Sequence, residues 1–201
     1  YIRELFDHYS ETYEANLITE LEYNLYLELR QILDSIARKK RRYDHVLDLG
    51  CGTGLAGEAF RTVCTTLSGV DLSRKMIDQA AGKEIYDHLY VDEIIHFLEC
   101  SRSDYDLFVA ADVLNYRGEL SPLFQAAAAR SASDALFCFS TEKTAAPGWI
   151  AHTNGRYAHH DDYVLDTARQ AGWSVLDLEE INMRREGDEQ VKGSIFIMAR
   201  L

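Results

Sequence analysis

Apolar and polar positions along the chain follow two different periods. Before residue 38, apolar side chains recur at steps of three and four, which predicts helix over residues 1 to about 37. From residue 45 onwards, short apolar runs of the strand type alternate with helical patterns. The predicted strands in this part are HVLDL (45–49), LSGVDL (67–72), HLYV (88–91), the start of YDLFVAADVL (105–114) and ALFCFS (135–140). Strands that alternate with helices form parallel sheets, because each helix returns the chain to the start of the next strand.

The chain ends in two further apolar segments, WSVLDLEEINMR and GSIFIMARL, on either side of the polar turn REGDEQVKG. So short a connection indicates an antiparallel hairpin, since parallel strands need a longer crossover. The pattern as a whole predicts an α/β fold with a seven-stranded, mostly parallel sheet, one antiparallel strand and helices on both faces. We expect a single domain, with a helical segment over residues 1–42 and an α/β core over residues 43–201.

Charge and composition exclude several classes of partner. The chain carries 21 basic and 33 acidic residues, a net charge of −12, which repels phosphate backbones and argues against nucleic acid. The basic run RKKRR (38–42) follows a helical pattern, so it either closes that helix or forms a targeting or nucleic-acid patch. No apolar stretch is long enough to cross a bilayer. The four cysteines show no CxxC pair and no Cys/His ligand spacing, which predicts a cytoplasmic protein without a metal site.

A glycine-rich loop, DLGCGTGLAG (48–57), follows the first predicted strand and contains the GxGxxG spacing of dinucleotide-binding proteins. Asp48 precedes the first glycine, and its charge would repel a pyrophosphate in the same crevice. An ammonium group and a sulfonium would be attracted instead, and S-adenosylmethionine carries both. Asp71 ends the second strand, where a carboxylate can accept hydrogen bonds from a ribose diol of either cofactor. The loop therefore favours S-adenosylmethionine over a nicotinamide cofactor.

VLDLGCGTG followed by GVDLSRKMIDQA resembles the class I S-adenosylmethionine-dependent methyltransferases, which have a Rossmann-like fold with a seven-stranded sheet. The resemblance implies that Asp48 organises the methionine amino group, that Asp71 binds the ribose, and that Asp92 meets the adenine amino group. It also implies that the N-terminal helices cover the cofactor as a lid. The implied cofactor-binding residues are Tyr13, Asp48, Gly50, Cys51, Gly52, Asp71, Leu72, Met76, Asp92, Ala110 and Ala111. The expected product is S-adenosylhomocysteine.

A narrower resemblance covers almost the whole chain. FDHYSETYEANLITELEYN, DLFVAADVLNYRGEL, FSTE and GRYAHHDDYV are similar to the methyltransferase domain found behind tetratricopeptide repeats in bacterial proteins. The chain begins at Tyr1 rather than Met, so the resemblance implies an upstream repeat domain as a partner.

Candidate substrate residues cluster in a polar segment, HTNGRYAHHDDY (152–163), which is predicted to be a loop between a strand and a helix. His159 is the first candidate for a general base, because histidine titrates near neutral pH, and Asp112 or Tyr116 comes next. Correct positioning of the acceptor beside an activated methyl can also suffice without a base. Capping of the following helix is an equally good explanation of the polar residues near His160. The implied substrate residues are Tyr9, Tyr116, Arg156, Tyr157 and His160.

Three functions are compatible with this chemistry. The first is methyl transfer to a small molecule. The second is an adenosylmethionine-binding or regulatory module without catalysis, and the third, less favoured, is an NAD-dependent oxidoreductase. The fourth strand is followed by ADVLNY rather than by an NPPY-like tetrad, which argues against the enzymes that methylate amino groups of DNA or glutamine.

Overall fold

A computed structural model describes residues 24–36, 42–186 and 189–201 of the chain. Its helices are α1 (Leu25–Ile36), α2 (Leu55–Phe60), α3 (Arg74–Gly82), α4 (Ile94–Cys100), α5 (Ser121–Ala129) and α6 (Asp161–Gln170). Its strands are β1 (Tyr43–Leu49), β2 (Cys64–Asp71), β3 (His88–Val91), β4 (Tyr105–Ala110), β5 (Ser131–Lys143), β6 (Trp149–Ala151), β7 (Tyr157–His159), β8 (Trp173–Glu186) and β9 (Glu189–Arg200). Tyr9, Tyr13, most of the basic run 38–42 and the tip of the last turn lie outside the described residues, so what was predicted for them stays a prediction.

The central sheet confirms the predicted fold class. Its parallel strands lie in the order β3-β2-β1-β4-β5. β9 pairs antiparallel with β5 and β8 pairs antiparallel with β9, so β9 is reversed, as is the short β6, which pairs antiparallel with β7. Within the described residues the sheet has nine strands rather than seven, because a small hairpin of β6 and β7 joins it.

The hairpin occupies the edge of β5 that β4 leaves free. β4 pairs with β5 as far as Ala110↔Phe139. Further along β5, Glu142 pairs with Gly193 of β9 and with Ala158 of β7, so β7 must lie on the β4 side. The hairpin therefore stands directly beyond the carboxyl end of β4. The segment 152–163, which we predicted as a loop, contains the strand β7. A strand of three residues is too short to show the alternation of apolar and polar residues that identifies a strand in a sequence.

Both faces of the sheet are covered by helices, as the apolar runs predicted. Successive residues of β4 show this best, since Leu107 and Val109 belong to one buried cluster while Phe108 and Ala110 belong to the other. α1 and α2 cover the first face, and α4, α5 and α6 cover the second. A strand buried on both faces reads as a continuous apolar run rather than as an alternation. No helix in the described ranges is long and apolar enough to span a membrane.

Candidate functional site

The glycine loop turns the chain sharply at the end of β1. The N–H groups of Gly50 and Cys51 both donate to the carbonyl of Val70, at 2.8 and 3.0 Å. Gly50 has φ +66°, and a Cβ there would lie 2.6 Å from Cγ2 of Val113. Gly52 has φ +52° but would place a Cβ in open space, with no atom within 4 Å. The loop thus packs tightly against Val113 at its first glycine and leaves room for a ligand at its second.

The last glycine of the GxGxxG pattern serves packing within the protein. A Cβ on Gly57 would overlap the ring of Tyr86. The hydroxyl of Tyr86 passes over this glycine and donates to Oδ2 of Asp48 at 2.7 Å. The place of Tyr86 therefore accounts for the last glycine of the GxGxxG pattern.

Asp48 has surroundings that differ from the predicted ones. Its side chain is only 2% exposed and is directed at Tyr86 rather than at the open space above the loop. Burial, together with the nearby charge of Asp71, raises the pKa of Asp48 to about 7, against the opposing effect of the Tyr86 hydrogen bond. Asp48 is not among the residues that line the cavity at this end of the sheet, so its predicted contact with the methionine amino group stays a prediction.

Asp48→Asn is expected to flatten the dependence of stability on pH. The pKa in the folded chain, about 7, lies above the usual value of 3.8. The stability that this carboxyl contributes is therefore fully present below about pH 4 and is lost as the pH rises through about 7. Between pH 5 and pH 8 the wild type should lose about 2–3 kcal/mol more than the variant, as measured by urea unfolding. Asp78→Asn, at an exposed position of α3, should retain the wild-type slope. Equal slopes in the wild type and Asp48→Asn would show that Asp48 titrates alike in the folded and unfolded chain.

A cavity of about 210 Å³ lies at the carboxyl ends of β1 to β4. It is lined by Gly50, Gly52, Asp71, Leu72, Met76, Asp92, Glu93, Ile94, Ala111, Asp112, Val113, Tyr116 and Arg117. These residues include most of the predicted cofactor set and one predicted substrate residue, Tyr116. Cys51 and Ala110 are buried beneath the cavity, at 6% and 0% exposure, and do not line it. The structure thus gathers in one place residues that are up to 67 positions apart, from Gly50 to Arg117.

Asp71 joins the glycine loop to the start of α3. Its Oδ2 accepts from the N–H of Gly52 at 2.9 Å, and its Oδ1 accepts from the N–H of Ser73 at 2.8 Å. Ser73 in turn caps α3, because its hydroxyl accepts from the N–H of Met76 at 3.2 Å. A half-buried carboxylate beside the apolar side chains of Leu72 and Met76 suits a ligand that combines hydroxyl groups with a flat apolar ring.

Acidic side chains follow β3 at another part of the cavity wall. Both carboxylate oxygens of Asp92 lie 2.9 Å from Nδ1 of His96. Glu93 caps α4 by accepting from two backbone N–H groups, and its other oxygen pairs with Arg117 across the cavity mouth. This ion pair links the start of α4 to the segment after β4.

A buried cluster of four charged residues, Asp112, Glu142, Arg156 and Arg184, stands beyond the far end of the cavity. Arg156 lies 2.8 Å from Oδ1 of Asp112 and 2.5 Å from Oε1 of Glu142, and it donates to the hydroxyl of Tyr116 at 2.7 Å. Nη2 of Arg184 lies 2.7 Å from the same oxygen of Glu142. The cluster joins β4, β5, β8 and the β6–β7 hairpin, and its formal charge is zero.

The pKa values of the groups in and beside the cluster differ from their ordinary values. Burial raises the pKa of Asp112, although Arg156 and Arg184 oppose the shift. Burial also raises the pKa of Tyr116 to about 12, so its hydroxyl keeps its proton at neutral pH. Burial alone would lower the pKa of Arg156, but the charges of Asp112, Tyr116 and Glu142 outweigh it and leave that pKa raised. Sequence reasoning missed Glu142 and Arg184, although an acid directly after ALFCFST was a visible signal.

The predicted catalytic and substrate residues of segment 156–160 have different surroundings in the structure. His159 is fully buried in β7, where its Nε2 lies 3.0 Å from the carbonyl of Gly118, and burial lowers its pKa. His159 does not line the cavity, and its assignment as a general base is therefore corrected. His160 caps α6 by accepting from the N–H of Asp162, which matches the capping alternative. Tyr157 packs against Trp149, with ring centroids 5.4 Å apart. Of this group, Arg156 makes side-chain hydrogen bonds to two residues that line the cavity, Asp112 and Tyr116.

Comparison with known proteins supplies a family and a fold. A family model described as a methyltransferase domain matches residues 21–183. A solved S-adenosylmethionine-dependent methyltransferase from Clostridium acetobutylicum shares 15% identity over 98% of this chain and 99% of its own, with a TM-score of 0.71. Magnesium protoporphyrin IX methyltransferase from Synechocystis, solved with bound SAH, shares 17% identity over 100% of this chain and 98% of its own, also with a TM-score of 0.71. N-methyltransferase NodS from Bradyrhizobium japonicum, solved with S-adenosylhomocysteine, shares 15% identity over 89% of this chain and 88% of its own, with a TM-score of 0.68. A search among curated proteins found no match.

Proposed function

The chain belongs to the methyltransferase-domain family, and from that premise we propose that it transfers a methyl group from S-adenosylmethionine to a small-molecule acceptor. The observation that carries the proposal is the cavity at the carboxyl ends of β1 to β4, lined by two glycines of positive φ and by Asp71, Leu72 and Met76. The binding of SAH by the Synechocystis and Bradyrhizobium structures of the same fold supports the choice of cofactor.

The residues of the cavity fit the parts of S-adenosylmethionine. Gly50 and Gly52 would admit the methionine portion, because Gly52 offers open space where any other residue would project a side chain. Asp71 would accept hydrogen bonds from the ribose hydroxyls while it holds the loop. Leu72 and Met76 would pack on the adenine ring, and Asp92 would accept from the adenine amino group. Asp48 would act indirectly, through Tyr86 and the packing of Gly57 beneath the loop.

The acceptor would lie toward Asp112, Tyr116 and Arg117, at the end of the cavity that the buried charged cluster holds. When bound, the cofactor supplies a methyl group activated by a positive sulfur. The hydroxyl of Tyr116 already accepts from Arg156, and Oδ1 of Asp112 is held by that same arginine. Neither group is poised as a free base. We therefore propose that this enzyme accelerates transfer by positioning the acceptor rather than by removing its proton.

Residues 1–42 are proposed to cover the cofactor as a lid on the core formed by residues 43–201. The resemblance to domains that follow tetratricopeptide repeats supports an upstream repeat domain as a partner in the full-length protein. The four free thiols fit a reducing compartment, which supports a cytoplasmic location. The net charge of −12 supports a small molecule over nucleic acid as acceptor.

Thermal unfolding with four separate ligands tests the proposal. S-adenosylmethionine and S-adenosylhomocysteine, each at about one hundred times its dissociation constant, should each add about 2.7 kcal/mol of stability. For a domain of this size that raises the midpoint by roughly 5–10 °C. NAD and NADP, which share the adenosine portion, should leave it unchanged at the same concentration. A shift with NAD alone, or with none of the four, would contradict the proposed cofactor.

A second measurement separates an enzyme from a binding module. The chain and S-adenosylmethionine are incubated with pools of small-molecule nucleophiles, and release of S-adenosylhomocysteine is followed by mass spectrometry. A pool that raises the release above the rate without acceptor supports catalysis. Firm binding without such release from any pool would favour the non-catalytic module.

A further inference from the structure

Asp92, before the start of α4, and His96 and Cys100, within α4, form a chain of contacts in which only Asp92 also lines the cavity. Nε2 of His96 lies 3.6 Å from Sγ of Cys100, and Nδ1 of His96 lies 2.9 Å from both carboxylate oxygens of Asp92. His96 and Cys100 are four residues apart in α4, so the helix places them on one face, and Asp92 lies two residues before the helix begins. Cys100 and His96 are exposed to solvent, and His96 is 63% exposed at its side chain.

We infer that Cys100 is an activated thiol that forms mixed disulfides with small disulfide-bearing molecules, with His96 as its base and Asp92 as the residue that orients His96. In the reaction the thiol proton passes to Nε2 of His96, and the sulfur of Cys100 attacks one sulfur of the disulfide. A new S–S bond forms while the old one breaks, and the other half leaves as a thiolate. No further oxidant is needed, because the attacked disulfide accepts the electron pair.

The arrangement has the features that activate a cysteine. A thiolate is the reactive form, and a histidine within hydrogen-bond distance stabilises it by taking the proton. Asp92 fixes the ring, because its carboxylate leaves Nε2 as the nitrogen that faces Cys100. Asp92 is itself held, since its Oδ1 accepts from the N–H of Glu93 at 2.8 Å.

The backbone does not supply the activation. Cys100 is the last residue of α4, where the helix dipole disfavours a negative charge. His96 must therefore provide the stabilisation, and a change at His96 tests the inference directly. The other thiols offer little competition, because Cys51, Cys64 and Cys138 are 6%, 1% and 0% exposed.

The test is the reaction of the folded chain with 5,5′-dithiobis(2-nitrobenzoate) at pH 7, followed by release of the coloured thiolate. One thiol should react in a fast phase, and peptide mapping should place the label on Cys100. Cys100→Ser should abolish that phase. His96→Asn should slow it about three- to fivefold, because the group that takes the thiol proton is lost. Asp92→Asn should slow it by a smaller factor, through loss of the orienting charge.

A matched variant and a pH series complete the design. His152→Asn removes another exposed histidine and should leave the fast phase unchanged. The difference between wild type and His96→Asn should be present at both pH 6 and pH 7. Equal rates for wild type and His96→Asn at pH 6 and pH 7 would overturn the inference. A fast phase that maps to another cysteine would overturn it as well. None of these results depends on whether the cavity binds S-adenosylmethionine.

Discussion

Arg184→Met is expected to lower the free energy of unfolding by about 3–5 kcal/mol, the cost of leaving a buried charge without its partner. Arg184 is 7% exposed and Glu142 is 4% exposed, so little water can replace the lost contact. Without this arginine the cluster holds Asp112 and Glu142 against Arg156 alone. Urea unfolding of the wild type and the variant measures the difference.

Two comparisons show whether the effect comes from the buried charge. Adding Glu142→Gln to Arg184→Met removes one charge of each sign and should recover a part of the loss, which a double-mutant cycle quantifies. Arg169→Met breaks an ion pair whose side chains are 67% and 63% exposed, and should cost less than about 1 kcal/mol. A loss at Arg184 no larger than at Arg169 would mean that the cluster is solvated.

Asp71→Ala is expected to weaken the binding of S-adenosylhomocysteine about 30- to 100-fold. The carboxylate is proposed to accept the ribose hydroxyls, and such charge-assisted hydrogen bonds contribute about 1.5–3 kcal/mol each. The same side chain holds the N–H groups of Gly52 and Ser73, so its loss also loosens the loop that shapes the cavity. Titration calorimetry gives the two dissociation constants.

The control for this variant is Asp78→Ala, which makes the same change of charge at an exposed position of α3. It should bind within about twofold of the wild type, because an exposed charge is well screened. Unfolding in urea should first establish that Asp71→Ala is folded at the temperature of the titration. A folded Asp71→Ala variant with unchanged affinity would remove Asp71 from the cofactor site.

The parts of the fold that were predictable from the sequence are those with a local signal. A parallel sheet is predicted by the apolar runs of β1, β2 and β4. The glycines after β1 predict the edge of the sheet at which a ligand binds. Asp71, Leu72 and Met76 line the cavity because the ends of neighbouring parallel strands meet at one edge. The place of Asp71 follows from periodicity and topology, whereas the resemblance to class I methyltransferases implied Leu72 and Met76.

What could not be predicted depends on contacts between distant residues. Asp48 is held by Tyr86, 38 positions away, and nothing in the glycine loop indicates that partner. Glu142 and Arg184 meet across 42 positions, and each reads as an ordinary charge on a strand. His159 looked accessible because β6 and β7 are too short to show a pattern, so its burial emerged only from their pairing with β5.

The attachment of the β6–β7 hairpin has a consequence for how the acceptor end exchanges with solvent. Along β5 the hairpin is paired only through Glu142↔Ala158 and Lys143↔His159, whereas β9 pairs with β5 at seven positions. Segments with few ladder contacts open locally at a free energy below that of global unfolding. Arg156 adds contacts to Asp112, Glu142 and Tyr116, so removing these contacts should raise the rate at which the hairpin opens, as measured by hydrogen exchange of its backbone amides.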